Sequence, residues 1–165
     1  MEFREGSRLE KIGAYCFAGC DLKEVPIPSS VVEIGEYAFV ACKSLRKVTF
    51  QEGSRLQKIG GHCFSSSGLE EFVAPPGLKV IENGAFYMCD SLKRAVLNEG
   101  LEKLPSHQKG FCYYGVFDCC GIEEITLPST LKLIGGITFD YCRRLQAIYV
   151  ANGCQADLSE LRIPK

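Results

Sequence analysis

Cysteine and histidine are the residues of this sequence whose side chains could carry catalysis or bind a metal ion. The chain of 165 residues contains ten cysteines and two histidines. Zinc sites are commonly built from paired Cys-x₂₋₄-Cys knuckles. Cys16 and Cys20 have that spacing, but no second knuckle completes a set of ligands. The densest group of possible ligands along the chain comprises His107, Cys112, Cys119 and Cys120.

Thiol catalysis requires a cysteine that an adjacent base activates, and the sequence offers little for such a site. His62 belongs to a variable surface turn. The sequence contains no Gly-x-Ser-x-Gly, no phosphate-binding glycine loop and no His-Glu-x-x-His. It therefore predicts a protein that is not an enzyme and that needs neither cofactor nor metal. A disulfide between Cys112 and Cys119, or one that uses Cys154, stays open because sequence does not fix connectivity.

A repeat of roughly two dozen residues accounts for most of the cysteines. Its anchors are separated by 22, 25, 22, 31 and 22 residues: Phe17, Phe39, Phe64, Phe86, Phe117 and Phe139. Three residues after each anchor comes a small residue: Cys20, Cys42, Ser67, Cys89, Cys120 and Cys142. A slot that accepts both Cys and Ser favours a small, buried side chain. Cys16 and Cys63 directly precede their anchors in a second small-residue slot, so packing is predicted for all seven cysteines.

Each unit also contains two segments that favour extended chain. Segments of the type Leu-x-x-Ile-x-Leu, such as residues 22–27, predict a short parallel strand whose second and third apolar residues point into the core. The Ile-Gly-x-x-Ala-Phe-x-x-Cys half predicts a second short extended piece, then a helical or 3₁₀ turn that buries the phenylalanine. Residues 3–13 return almost unchanged as residues 50–60. Because no unit can bury its apolar face alone, stacked neighbours must form the core.

This register closely resembles the BspA-like class of leucine-rich repeats. The likeness is carried by Leu-x-x-Ile-Gly-x-x-Ala-Phe-x-x-Cys-x-x-Leu-x-x-Ile-x-Leu-Pro, best seen from Val31 to Phe50. That unit places Val31, Val48 and Phe50 in Leu or Ile slots and lacks the closing proline. The resemblance implies an α/β repeat solenoid, a right-handed stack of short parallel strands with short helical or 3₁₀ turns. It also implies a cell-surface protein with a role in adhesion.

A single leucine-rich-repeat domain of about six units is predicted over residues 1–165. The fifth unit departs from the pattern because Phe117 arrives late, which places an insertion near residues 105–113. Such an insertion must loop out of the stack. A truncated repeat is predicted at residues 154–165. No polar cap precedes the first unit, so self-association through uncapped ends is a further expectation.

Charge and hydropathy exclude several classes of partner. The net charge is -1, from 19 Lys and Arg against 20 Asp and Glu. This balance lacks the basic excess that neutralises phosphates, so no nucleic acid is expected. No apolar run approaches the ~18 residues of a membrane span, so direct membrane insertion is not expected. The chain shows no signal peptide, and the sequence leaves its location unknown although the resemblance implies the cell surface.

Stacking places equivalent outward residues in rows, with strands ~4.8 Å apart. One row alternates in sign and then ends on alanine: Glu24, Lys47, Glu71, Arg94, Glu124 and Ala147. The next outward row is more apolar: Pro26, Thr49, Val73, Val96, Thr126 and Tyr149. The charged row is either a self-neutralising solvated face or a ligand-binding face. The candidate binding residues of the two rows are Lys47, Thr49, Val73, Arg94, Val96, Thr126 and Tyr149.

Arg94 and Tyr149 are the predicted hot spots, because anchors of protein interfaces are enriched in such residues. The insertion supplies a second set of candidates, an aromatic and basic mixture: His107, Lys109, Phe111, Tyr113 and Tyr114. Loops on a rigid scaffold often carry binding, although a neutral insertion would have the same pattern.

The predicted function is a non-enzymatic module that binds a protein partner through the concave strand face, with adhesion as an extension of that role. A structural spacer or scaffold segment of a larger repeat protein is the alternative. A thiol- or metal-dependent enzyme that uses Cys112, Cys119, Cys120 and His107 is the third.

Overall fold

Short strands joined by tight turns make up the whole described chain. The computed structural model describes residues 6–109 and 112–163, with the backbone alone described at 107–109, 112 and 113. In chain order the strands are β1 (Lys11–Ile12), β2 (Glu24–Ile27), β3 (Glu33–Ile34), β4 (Lys47–Phe50), β5 (Lys58–Ile59), β6 (Glu71–Val73), β7 (Val80–Ile81), β8 (Arg94–Val96), β9 (Lys103–Leu104), β10 (His107–Lys109), β11 (Cys112–Tyr114), β12 (Glu124–Leu127), β13 (Leu133–Ile134) and β14 (Ala147–Val150).

Twelve of these strands form two parallel arrays that run along the stack. One array has the order β1-β3-β5-β7-β9-β13, and the other consists of β2-β4 and β6-β8-β12-β14. Equivalent residues pair from unit to unit, so that Ile12, Ile34, Ile59 and Ile81 follow one another. Each unit adds one strand to each array. The prediction of a parallel-strand solenoid of about six turns is therefore confirmed.

The predicted phenylalanine anchors form one continuous stack in the core. The rings of neighbouring anchors lie face to face, with centroids 5.1 to 5.9 Å apart from Phe17 to Phe139. Phe17 is partly buried and the other anchors are fully buried. Alternate residues of β2 and β12 point into the same core, as the sequence predicted. Since burying one phenylalanine contributes ~1.5–3 kcal/mol, this stack is a principal source of stability.

The prediction of short helical or 3₁₀ turns is not confirmed. Residues 6–109 and 112–163 contain turns and no helix. In the second unit the N–H groups of Tyr37, Phe39 and Ala41 donate to carbonyls of the next coil, at 2.8–2.9 Å. Tyr37 and Ala41 both have a left-handed φ of 56°. A helix needs successive right-handed residues with N–H groups bonded inside the segment, and stacking draws every second N–H outward instead.

The glycine that follows the core isoleucine is required by the approach of the neighbouring coil. A Cβ on Gly35 would lie 2.8 Å from the backbone nitrogen of Ala14. A Cβ on Gly60 would lie 2.7 Å from the backbone nitrogen of Glu36. Gly13 is equivalent to these glycines in sequence, yet a Cβ there would meet nothing within 4 Å. Close backbone contact between coils therefore explains the Ile-Gly pattern at Gly35 and Gly60.

Two segments differ from the regular coils. Strands β10 and β11 pair with each other in an antiparallel hairpin, with Gln108 opposite Tyr113. Neither strand belongs to the two parallel arrays. Near the end of the described chain, the backbone N–H of Gln155 donates to Leu131 and that of Arg162 donates to Gly136. These bonds hold residues 154–163 against the preceding coil.

We expect Gly35→Ala to lower the free energy of unfolding by about 1–3 kcal/mol, because the added methyl group overpacks a contact between two backbones. Urea denaturation followed by circular dichroism measures the change. Gly13→Ala is the matched control, and it should cause no loss because its methyl group enters open space. Equal losses for the two variants would show that coil-to-coil contact does not select this glycine.

Candidate functional site

In the cysteine slot, buried thiols bond to the carbonyl of an anchor phenylalanine one coil away. The sulfur-to-oxygen distances are 2.8–3.0 Å for Cys42 to Phe17, Cys89 to Phe64, Cys120 to Phe86 and Cys142 to Phe117. Ser67 occupies the same slot with its hydroxyl 3.5 Å from the Cys89 sulfur. A small side chain with one weak donor fits this position, which explains why Cys and Ser exchange there.

The packing interpretation of the seven cysteines is confirmed for most of them and wrong for one. The fully or nearly fully buried members are Cys42, Cys63, Cys89, Cys120 and Cys142. Cys20 is partly buried against the core. Cys16 is exposed, although it has the same position in its unit as buried Cys63. The difference arises because Cys63 lies in mid-stack, where coils on both sides remove its slot from solvent.

Burial suppresses thiolate formation at Cys120, one of the cysteines proposed for thiol chemistry, because it raises the pKa of this thiol well above the usual value. It also raises the pKa of Cys142, in the same slot of the next unit, to about 12. Burial, together with the hydrogen bond and charge of Asp118, raises the pKa of Cys119 to about 12. Since the thiolate is the nucleophile and the metal ligand, these groups are poorly suited to either role near neutral pH.

The described cysteines also offer no metal site. All nine of them, Cys119 and Cys154 included, are free thiols, and the side chains of Cys112 and His107 lie outside the described residues. Within that part of the chain, no three His, Cys, Asp or Glu side chains come together as metal ligands.

Asp118 is a buried carboxylate that the sequence analysis did not single out. It is 5% exposed, and its Oδ1 atom has no hydrogen-bond partner. Burial raises the pKa of this carboxyl, and the negative charge of Asp140 raises it further. The only sequence signal was an acidic residue directly after an anchor, which is also the pattern of an exposed turn. Its orphaned oxygen makes the folded state less stable when the carboxyl is ionised.

The array of β6, β8, β12 and β14 brings the two predicted rows of outward residues together. Glu71 pairs in register with Arg94, Arg94 with Glu124, and Glu124 with Ala147. The next row runs through Val96, Thr126 and Tyr149 in the same way. The guanidinium of Arg94 lies 2.7 Å from the carboxylate of Glu71. The predicted register is therefore present, and Arg94 already has an acidic neighbour inside the chain.

A depression of about 540 Å³ opens on this face. Its lining includes four predicted binding residues: Arg94, Val96, Thr126 and Tyr149. Tyr149 is 53% exposed and is the large amphipathic side chain of the depression. Lys93 and Glu123 also line it. The sequence analysis did not predict them, because they stand one residue before Arg94 and Glu124 and so belong to neither of the two rows considered there. The site thus combines apolar floor, exposed aromatic surface and charge.

The other predicted residues of the face lie elsewhere along the arrays. Thr49 and Val73 line a second depression of about 620 Å³ with Phe50, Pro75 and Pro76. Lys47 pairs in register with Glu24 on the neighbouring strand. The predicted face is therefore divided between the two pieces of the array and is not one continuous pocket.

Part of the binding site predicted in the insertion is packed against the solenoid. The ring of Tyr114 lies 4.8 Å from the ring of His62 and 4.9 Å from that of Tyr87. His62 also stacks on Tyr37 at 5.0 Å, and burial lowers the pKa of His62, with Glu36 opposing the shift. His62 therefore lies within a row of aromatic rings and not in an open loop. Phe111 and the side chains of His107, Lys109 and Tyr113 lie outside the described residues.

The profile of the family described as "BspA type Leucine rich repeat region" matches six copies in this sequence, over residues 10–114 and 109–156. The chain belongs to the BspA-type leucine-rich repeat family. Proteins of this family are commonly interaction or surface proteins, and their solenoids are typically non-enzymatic. A comparison with curated proteins gave no match. Residues 6–109 and 112–163 contain no helix that could span a membrane.

Solved structures of bacterial proteins are similar to this chain. The leucine-rich repeat protein of Treponema pallidum has a TM-score of 0.74 and 31% identity, over 88% of this chain and 65% of its own. The pneumococcal vaccine antigen PcpA has a TM-score of 0.70 and 29% identity, over 79% of this chain and 31% of its own. A leucine rich cell surface protein of Faecalibacterium prausnitzii has a TM-score of 0.54 and 25% identity, over 86% and 43%. This BspA-type chain therefore spans less than two thirds of each of these proteins.

We expect alkylation of Cys119 in this BspA-type protein to be slow near neutral pH. Its rate should rise about tenfold for each pH unit between about pH 8 and pH 10, because the pKa of about 12 leaves only a small fraction of the thiol ionised at these pH values. Pulsed labelling with iodoacetamide and peptide mass spectrometry measures the rate at each cysteine. Asp118→Asn should accelerate labelling of Cys119, because it removes a charge that disfavours the thiolate. A rate that levels off below about pH 9 would contradict the raised pKa.

Asp118→Asn should also stabilise the fold near neutral pH, by about 1 kcal/mol, because it removes a buried charge with an orphaned oxygen. The pKa of Asp118 in the folded state is above the unfolded value of 3.8, so the wild type loses stability as the pH rises from the unfolded pKa to the folded pKa. The difference in free energy of unfolding between the variant and the wild type should grow between these two pKa values and then level off. Urea titrations between acidic and neutral pH measure it. Exposed Asp21→Asn is the control, and an equal gain there would argue against a role for burial.

Proposed function

We propose that this chain is a non-enzymatic protein-binding module whose β8-β12-β14 face receives an extended segment of a protein partner. The observation that supports the proposal most directly is the depression lined by Arg94, Val96, Thr126 and Tyr149. These residues lie on strands that are fixed by in-register backbone bonds on a continuous core. A preformed face loses little conformational entropy on binding, so contact area converts more fully into affinity.

Tyr149 is the proposed anchor of this interaction. It offers a large exposed ring and a hydroxyl, at a low cost in side-chain entropy. Thr126 and Val96 continue the same row and give a shallow apolar floor beside it. Aromatic anchors in such positions often dominate the energetics of an interface. The partner would therefore place apolar side chains against this row.

Adhesion at a cell surface is the setting that we propose for this binding. One structural relative, from Faecalibacterium prausnitzii, is a leucine rich cell surface protein. The poor nucleophilicity that burial imposes on Cys119 and Cys142 favours binding over thiol catalysis. A spacer role remains the alternative, and the continuous phenylalanine stack from Phe17 to Phe139 supports it, since such a stack stiffens a rod.

Tyr149→Ala and Tyr141→Ala test the proposal as a matched pair. Both tyrosines are exposed, at 53% and 62%, but Tyr141 belongs to a turn outside the strand face. Candidate partners are identified by photo-crosslinking from a probe at position 126, and each purified candidate is then titrated against the variants. We expect Tyr149→Ala to weaken binding about tenfold or more, and Tyr141→Ala to change it less than about twofold.

Loss of affinity for both variants would indicate a nonspecific contact, and no loss for either would contradict binding at this face. If crosslinking and titration yield no partner that depends on Tyr149, the spacer role becomes the better account of the chain. Thermal unfolding of both variants controls for a general loss of structure.

A further inference from the structure

The alternation of charge along the strand face stops at β12. On one side of this strand the charges are matched, because Glu71 is ion-paired with Arg94 at 2.7 Å and Arg94 lies in register with Glu124. On the other side, Glu124 lies in register with Ala147. The place that a basic side chain fills on β8 is therefore taken on β14 by a methyl group.

The row one residue earlier on each coil, formed by Lys93, Glu123 and Gln146, also ends on a neutral residue. Glu123 follows Lys93, whose carbonyl accepts the backbone N–H of Glu123. Beyond Glu123 comes Gln146, whose backbone N–H donates to the carbonyl of Glu123 at 2.8 Å. Gln146 carries no charge. Two adjacent acidic residues thus have neutral residues opposite them on the next coil, Gln146 for Glu123 and Ala147 for Glu124.

No cation of the described chain compensates these carboxylates at contact distance. Within residues 6–109 and 112–163, the six lysine or arginine ion pairs at 4.0 Å or less involve other acidic residues. Glu124 is exposed and Glu123 is partly exposed, and both line the depression of about 540 Å³. The acidic end of the depression is therefore open to a cation from outside the chain.

Tyr149 lies on the other side of the space above Ala147. It lies two residues beyond Ala147 on β14, so both side chains emerge on one face, about 7 Å apart. A cation above Ala147 would have carboxylates on one side and the edge or face of an aromatic ring on the other. Carboxylate pairing and cation–π attraction act together at such a position.

From this arrangement we infer that the space above Ala147 is a docking position for one arginine or lysine side chain of the partner polypeptide. The inference rests on the proposed function, which it extends by stating the partner's chemistry. The basic side chain takes the place that the next member of the charge ladder would occupy, between Glu123, Glu124 and Tyr149. Arginine fits better than lysine, because its planar guanidinium can bridge two carboxylates and stack on a ring.

The partner segment is then an extended strand with a basic residue and an apolar residue two positions along. Alternate residues of an extended segment point to the same side. With the cation above Ala147, the apolar side chain reaches the row of Val96, Thr126 and Tyr149. The charge at Glu123 and Glu124 therefore selects the register of the segment, and the apolar row supplies contact area.

A selection from random linear peptides displayed on phage tests the inference without a known partner. The wild-type chain is immobilised, and Tyr149→Ala in solution competes away peptides that bind other surfaces. We expect the selected peptides to contain arginine or lysine two positions from an apolar residue. Fluorescence polarisation with a selected peptide then measures affinity for each variant, at low and at moderate ionic strength.

Two changes should weaken binding of the selected peptide by about tenfold, each for a different reason. Ala147→Arg places the chain's own guanidinium in the docking position, and the equivalent residue Arg94 shows that this row accepts arginine. The double variant Glu123→Gln, Glu124→Gln removes the charges and should also flatten the salt dependence. Ala147→Gln is the steric control, for which we expect a loss below about threefold.

The outcomes separate this inference from the proposed function. Peptides that need Tyr149 but lack basic residues would leave the binding face standing and overturn the basic docking position. Equal losses for Ala147→Arg and Ala147→Gln would overturn it too, because size and not charge would then decide. If no peptide depends on Tyr149, both the inference and the proposed function fail.

Discussion

The spacing between adjacent coils is the constraint on which the rest of this structure depends. Backbone hydrogen bonds hold parallel strands ~4.8 Å apart, and this spacing is close to that of stacked aromatic rings. Phe39 can therefore lie 5.2 Å from Phe17 and 5.4 Å from Phe64 while the strands beside it stay bonded. Ring stacking and backbone pairing reinforce each other in every coil. The same spacing leaves no room for a side chain at Gly35 or Gly60, where the neighbouring backbone is too close.

The recurrent buried cysteines of the repeat are explained by that spacing. A thiol fits between coils and donates to the phenylalanine carbonyl of its neighbour, as Cys42 does to Phe17. Burial raises the pKa of Cys42, Cys120 and Cys142 and so disfavours their thiolates, which makes these residues less reactive than their type suggests in the sequence. Asp118 shows the reverse case. A carboxylate enters a position enclosed by neighbouring coils, and no donor reaches its Oδ1 atom.

The strand face follows from the same stacking, because equivalent residues of successive units become neighbours. A ladder of opposite charges neutralises itself wherever each unit supplies the next sign, as Glu71 and Arg94 do. Where the ladder stops, at Ala147 and Gln146, the residues opposite Glu124 and Glu123 are neutral, and neither carboxylate has an ion pair at 4.0 Å or less within residues 6–109 and 112–163. In a repeat protein, departures from the pattern therefore carry more information about specificity than the pattern itself, since the regular positions are already occupied by structural demands.

The sequence by itself determined the period, the anchors and the pairing register, because a solenoid places residues of equal phase next to one another. Rows such as Val96, Thr126 and Tyr149 could thus be written down before any coordinates. Only the tertiary structure decided the conformation of the turns, since the bonds that replace a helix at Tyr37 run to another coil. It also decided that Cys16 is exposed while Cys63 is buried. Neighbours in space set each of these outcomes, and local sequence does not specify which groups of an adjacent coil will be within reach.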